Sequence, residues 1–84
     1  MNESTPQIEG RMDFSRLPPR RLEVLMEVVR GHGNAAIAKV LGISEKTVKS
    51  HITHVLKATG CAQRSQLIAR YYMDREAARL ESAA

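Results

Sequence analysis

From Leu17 onward, apolar residues recur at helical spacing in four stretches separated by polar or glycine-bearing breaks. The first stretch carries Leu22, Leu25, Met26 and Val29, which predicts a helix from about Pro19 to about Arg30 with that stripe buried. The second is short, with Ile37, Ala38 and Leu41 on one face. The third places Val48, Ile52, Val55 and Leu56 at i, i+4, i+7 and i+8, one stripe of a helix over 44–59. The fourth, from about Arg64 to Leu80, has Leu67, Ile68, Tyr71 and Tyr72 close enough around its axis to serve both a core and a partner. No stretch alternates with the period of a strand. The prediction is an all-α, compact four-helix domain over 16–84, with its core in 17–72, preceded by a disordered N-terminal tail over 1–15.

The breaks are as informative as the stripes. Gly42 allows the left-handed conformation that ends a helix, and Ser44 is an N-cap whose hydroxyl can accept from the N–H of Lys46 or Thr47. Asn34 is expected to cap the short helix, and Gly31-His32-Gly33 before it reads as a flexible hinge. A short helix, a glycine turn and a longer capped helix make a helix-turn-helix, more specific than any one polar helix face. At roughly 100° per residue the side of 44–59 opposite the stripe holds Lys46, Ser50, Thr53, His54 and Lys57, with Thr47 and Lys49 on its shoulders. After Glu45 that face has no acid. Solvated lysines are the ordinary reason for such a face, and it is the capped two-helix unit that turns it into a candidate reading surface.

Charge sharpens the picture. The net charge is +4 and the pI near 9.7, which suits a polyanionic partner. Residues 1–15 hold one Arg against three acids, net −2, whereas 16–60 hold eight Lys and Arg against three acids, net +5. The positive charge therefore belongs to the predicted helices. Eighty-four residues allow one domain with a small core, aliphatic because there are two Tyr, one Phe and no Trp. No apolar run approaches the length of a membrane span, and no charged-then-apolar leader precedes the domain. Cys61 is alone, so an internal disulfide is impossible, packing is its expected role, and the cytoplasm is the expected location. Ile8-Glu-Gly-Arg11 matches a protease recognition string used in expression tags, and Met12 follows it, so 1–11 read as a tag.

The segment from Leu17 to about Tyr72 resembles the DNA-binding domain of LuxR/FixJ-type (GerE-like) regulators. Leu17-Pro-Pro-Arg-Arg-Leu-Glu-Val-Leu25 is similar to the family's first helix, and Gly31-His-Gly-Asn-Ala-Ala-Ile-Ala38 to its glycine-to-asparagine loop. Leu41-Gly-Ile-Ser-Glu-Lys-Thr-Val-Lys-Ser-His51 is close to its most diagnostic string, and Gly60 with Arg64-Ser-Gln66 resembles the start of its fourth helix. There are departures. Pro18 and Arg21 stand where the family has a Thr–Glu capping box, a loss worth about 1 kcal/mol. Arg20 and Arg21 also lie at a helix end whose dipole disfavours cations; a contact to phosphate would account for them, and a solvated pair is the expected reading. Ala35 and Ala36 replace a common Lys-Glu pair, and the stretch after Tyr72 is longer than usual.

Position along the helix and the resemblance both point to Lys49, Ser50 and Thr53 as base readers. Lys46, Thr47, Lys57, Asn34 and His54 are the phosphate candidates, with His51 leaning toward the core edge. The resemblance places a homodimer contact on the fourth helix, at Leu67, Ile68 and Tyr72. The implied function is a sequence-specific transcription regulator of double-stranded DNA, with RNA polymerase as a further candidate partner. Two other readings share the pattern: a protein-binding anti-regulator that pairs through its last helix with a full-length LuxR-type partner, and a promoter-reading piece related to sigma-factor region four. No paired acids, phosphate loop or pocket-sized chain supports an enzyme. His51 and His54 lack further ligands for a metal, and no cofactor, small-molecule ligand or membrane partner is expected.

Overall fold

Glycine sets where two of the helices stop. Gly42 and Gly60 sit at φ +68° and +72°, left-handed conformations that L side chains rarely adopt, and each cap N–H turns back onto the preceding helix. In the computed structural model, which describes residues 14–83, these stops divide the chain into a 3-10 turn at Phe14–Arg16 and four helices. They are α1 (Pro19–Val29), α2 (Asn34–Leu41), α3 (Glu45–Thr59) and α4 (Arg64–Ala83). No strand occurs among the described residues. The expected tail over 1–15 falls mostly outside them; its end does not, because Phe14 begins the 3-10 turn and packs edge-on against Tyr71, with ring centroids 5.4 Å apart.

The α3 helix is the hub, packed against α1, α2 and α4. Its Val48, Ile52 and Val55 are buried, as the stripe predicted, and Leu56 is half-buried. The stripe expected for α1 is corrected by half. Val24, Leu25, Val28 and Val29 are the buried residues, while Leu22 and Met26 pack at the edge. The reason is that α1 is covered by α2, α3 and α4 together, so its buried arc is rotated and wider than one stripe. Ile37 and Ala38 of α2 and Leu67 of α4 complete the core, and Cys61 packs partly buried against it.

The first helix lacks a side-chain cap at Pro18, as expected from the missing capping box. Arg20 is not simply solvated. Its guanidinium donates to Glu23 Oε1 at 2.7 Å and to the Leu41 carbonyl at 3.0 Å, satisfying an oxygen that the end of α2 leaves open. Tyr72 does the same for α1, its hydroxyl donating to the Val29 carbonyl at 2.8 Å.

Candidate nucleic-acid interface

The geometry of the two-helix unit begins at its turn. Ser44 Oγ accepts from the Thr47 N–H at 3.0 Å and donates to Thr47 Oγ1 at 2.9 Å. Thr47 Oγ1 is thus an acceptor inside the turn, and its own O–H remains to donate outward. Beyond this cap, Lys46, Thr47, Lys49, Ser50, Thr53, His54 and Lys57 are all exposed. They share the side of α3 turned away from Val48, Ile52 and Val55, so burying those three aims the basic face at solvent.

His54 is more constrained than its exposure suggests. Its Nδ1 lies 2.8 Å from the Ser50 carbonyl, which can only accept, so Nδ1 carries the proton. His51, half-buried on the flank toward α1, has its pKa pushed below the ordinary 6.5 by desolvation first, then by the charges of Arg21, Arg20 and His54.

Asn34 is not the cap of α2. Gly33 holds that position with no side-chain hydrogen bond, and Asn34 is the first helical residue. Its Oδ1 instead accepts from Arg64 Nη1 at 2.6 Å, a charge-assisted bond that a neutral N–H competes with poorly. Only its amide N–H groups remain for a phosphate.

The same guanidinium pins the loop. Arg64 Nη2 donates to the His32 carbonyl at 2.7 Å, and His32 Nδ1 lies 2.6 Å from Glu27 Oε1. Arg30 Nη1 donates to Glu27 Oε2 at 2.5 Å. The expected hinge at 31–33 is therefore tied from both sides, to α1 by its ring and to α4 by its carbonyl. This fixes where α2 starts, and so where α3 points. Residue patterns missed the tie, although one signal was present. A cation at the positive first turn of a helix is disfavoured unless it is bound elsewhere, and Arg64 is the first residue of α4.

Glu27 is nearly buried, and the His32 hydrogen bond holds its pKa below the ordinary 4.5, with Arg30 helping and desolvation opposing. A carboxyl with a lowered folded pKa stabilises the fold above its unfolded value, and that contribution is lost as pH falls through the folded one. Glu27→Gln is expected to lower the melting temperature at neutral pH and to flatten the acid-side fall below 4.5. Thermal melts of both proteins across that range test it; parallel curves would remove Glu27 from the acid transition.

Of the residues placed at a dimer contact, Leu67 is corrected. It is wholly buried in the core, because α4 needs an anchor against α1 and α3, and no surface of it is left for a partner. Ile68 is half-buried, and Tyr72 is 48% exposed although its hydroxyl is bonded to Val29. Met73 and Leu80, 68% and 56% exposed, lie further along α4, roughly 80–100° around its axis from Tyr72.

The sequence profile described as "Bacterial regulatory proteins, luxR family" matches residues 15–71, spanning all of α1–α3 and the start of α4. The chain belongs to the LuxR family of bacterial regulatory proteins. Oxygen regulatory protein NreC of Staphylococcus aureus, in strains JH9, JH1 and Mu3, is 38% identical over 55 residues, covering 66% of this chain and 25% of the relative. The chain thus spans about a quarter of the length of these curated relatives. Helix-turn-helix domains of the LuxR family bind DNA, and the capped pair α2–α3 is that unit here. No helix among the described residues is long and apolar enough to cross a membrane.

Proposed function

We propose that this LuxR-family domain reads duplex DNA by laying α3 in the major groove, as part of a transcription regulator working in the cytoplasm. The observation that carries the reading is the face of α3 beyond Glu45. It is exposed, basic and acid-free, and it is fixed by a buried stripe behind it and a formed cap at its start. Lys49, Ser50 and Thr53 face base edges, where Lys donates to guanine O6 and N7 and the hydroxyls serve either partner. Lys46, Thr47, Lys57, His54 and the amide of Asn34 face phosphates.

Two copies bind together, joined through Ile68, Tyr72 and the exposed length of α4, because one small module buries limited surface and paired sites multiply affinity. RNA polymerase is the downstream partner of such a regulator. Footprinting on selected DNA is expected to show an inverted repeat with half-sites about 10 bp apart. Affinity is expected to fall steeply as salt rises, the mark of phosphate contacts. A gel shift at two salt concentrations measures this. Weak, salt-indifferent association would instead favour pairing with another regulator through α4, and a single unrepeated footprint would remove the dimer.

A further inference from the structure

The short helix α2 is poorly secured by its own residues. It is eight residues long, buries Ile37 and Ala38, and starts after Gly33 without a side-chain cap. A helix of that length does not persist alone, so its neighbours must hold it. Two arginines from outside the two-helix unit do so, one at each end. Arg64, the first residue of α4, donates from Nη1 to Asn34 Oδ1 at 2.6 Å and from Nη2 to the His32 carbonyl at 2.7 Å. Arg20, from the first turn of α1, donates to the Leu41 carbonyl at 3.0 Å. Arg64 sets a full charge against two neutral oxygens, at a helix start where a cation is disfavoured. What that placement gains is a fixed position for the start of α2.

We propose that Arg64 and Arg20 are positioning residues for DNA recognition. They clamp α2 at both ends and so keep its phosphate contact in register with the base contacts of α3. The inference rests on the DNA-binding reading above and adds two residues that act without touching the duplex.

Phosphate contacts fix where a protein sits on DNA, and base contacts read it. The α3 helix has its own anchor, because Val48, Ile52 and Val55 are buried behind the reading face. The α2 helix brings the amide of Asn34, whose Oδ1 is taken by Arg64 and whose two N–H groups are left for a phosphate. With the oxygen held, the amide cannot turn over and present an acceptor to that phosphate. At the other end, Leu41 precedes Gly42, the turn into α3, so Arg20 holds the corner between the two helices against α1. A complex on the selected sequence needs the contacts of both helices at once. On scrambled DNA the domain can settle wherever its phosphate contacts allow. Loosening the clamp therefore costs discrimination more than general attraction. Lysine at either position keeps the charge and loses the planar guanidinium, which at Arg64 is the fork that reaches both oxygens.

The experiment measures binding to the selected and a scrambled duplex at two salt concentrations. It compares the full chain with Arg64→Lys, Arg20→Lys, Asn34→Ala and the Arg64→Lys/Asn34→Ala double variant. Thermal melts check each fold, and amide hydrogen exchange reports on α2. Both lysine variants are expected to exchange α2 amides faster and to lose about fivefold in discrimination, the low end of what one base contact is worth, with the salt slope unchanged. Arg64→Lys should cost less in the Asn34→Ala background, because part of its effect passes through that amide. If Arg64→Lys does not fold, Arg20→Lys carries the test, since that side chain is about half exposed. Arg64→Gln is also expected to keep the parent slope; a slope lowered by about one would make Arg64 a phosphate contact and overturn its positioning role. Equal losses on both duplexes, or unchanged discrimination in the folded lysine variants, overturn the clamp alone. A parent chain that binds neither duplex, or both alike, overturns the base-reading proposal and the clamp with it.

Discussion

Leu67→Ala is expected to unfold much of the population at physiological temperature. The side chain is wholly buried and, among the described residues, is the one α4 residue in the fully buried core, where it meets α1 and α3. Cutting a buried leucine to alanine costs about 2–5 kcal/mol, because transfer energy is lost and the cavity collapses only in part. A small domain has only about 5–15 kcal/mol in total, and this one is small with an aliphatic core. Without this contact α4 keeps its bonds from Arg64 and Tyr72, but those tie loop and helix ends rather than fill volume. Thermal and denaturant unfolding measure the loss, expected as a drop in melting temperature of roughly 10–20 °C with little change in denaturant slope. The result also decides the residue's role. Unchanged stability with weakened self-association would put Leu67 at a subunit interface and contradict its burial here.

Leu67 illustrates how far residue pattern carries in this chain. Periodicity placed four helices, and the capped turn at Ser44 was legible to within one residue of its donor, which is the Thr47 N–H rather than that of Lys46, because caps and turns are local chemistry. It could not say which side of α4 faces inward. Leu67, Ile68, Tyr71 and Tyr72 spread around the helix, and only the position of α1 and α3 separates the anchored residue from the exposed one. The stripe of α1 was half misread for the same reason: a helix covered from three sides buries more than one line of residues.

Long-range polar contacts were the least legible. Asn34 carries the right side chain for a cap, yet a guanidinium 30 positions away takes its oxygen. Arg20 and Arg21 look alike in sequence, but one closes the end of α2 and the other makes no hydrogen bond or ion pair among the described residues. In each case the deciding partner lies across the fold, where sequence spacing gives no distance. The candidate reading face escaped this difficulty. It requires only that the stripe on the opposite side be buried, and a helix with Val48, Ile52 and Val55 inward has no freedom to aim Lys46, Ser50 or Lys57 anywhere but out.

That fixed aim makes the two lysines at 46 and 49 separable by experiment. Lys49→Ala is expected to cut discrimination between the selected duplex and a scrambled one by about 1–3 kcal/mol, roughly 5- to 150-fold, since it is the one strong donor among the three proposed base readers. Its effect on scrambled DNA should be small. Lys46→Ala should weaken both duplexes alike and lower the salt slope by about one, as loss of a single phosphate contact does. Neither side chain is buried, so both variants should melt near the parent temperature, and a binding change cannot be blamed on unfolding. The two substitutions remove the same charge, three residues apart on one helix. A difference between them therefore reports where each lysine meets the duplex rather than the domain's total charge. Competition titrations with both duplexes at two salt concentrations give all four quantities. Equal losses from both variants on both duplexes would mean that α3 meets DNA through phosphates alone, and sequence preference would then have to come from the duplex's shape.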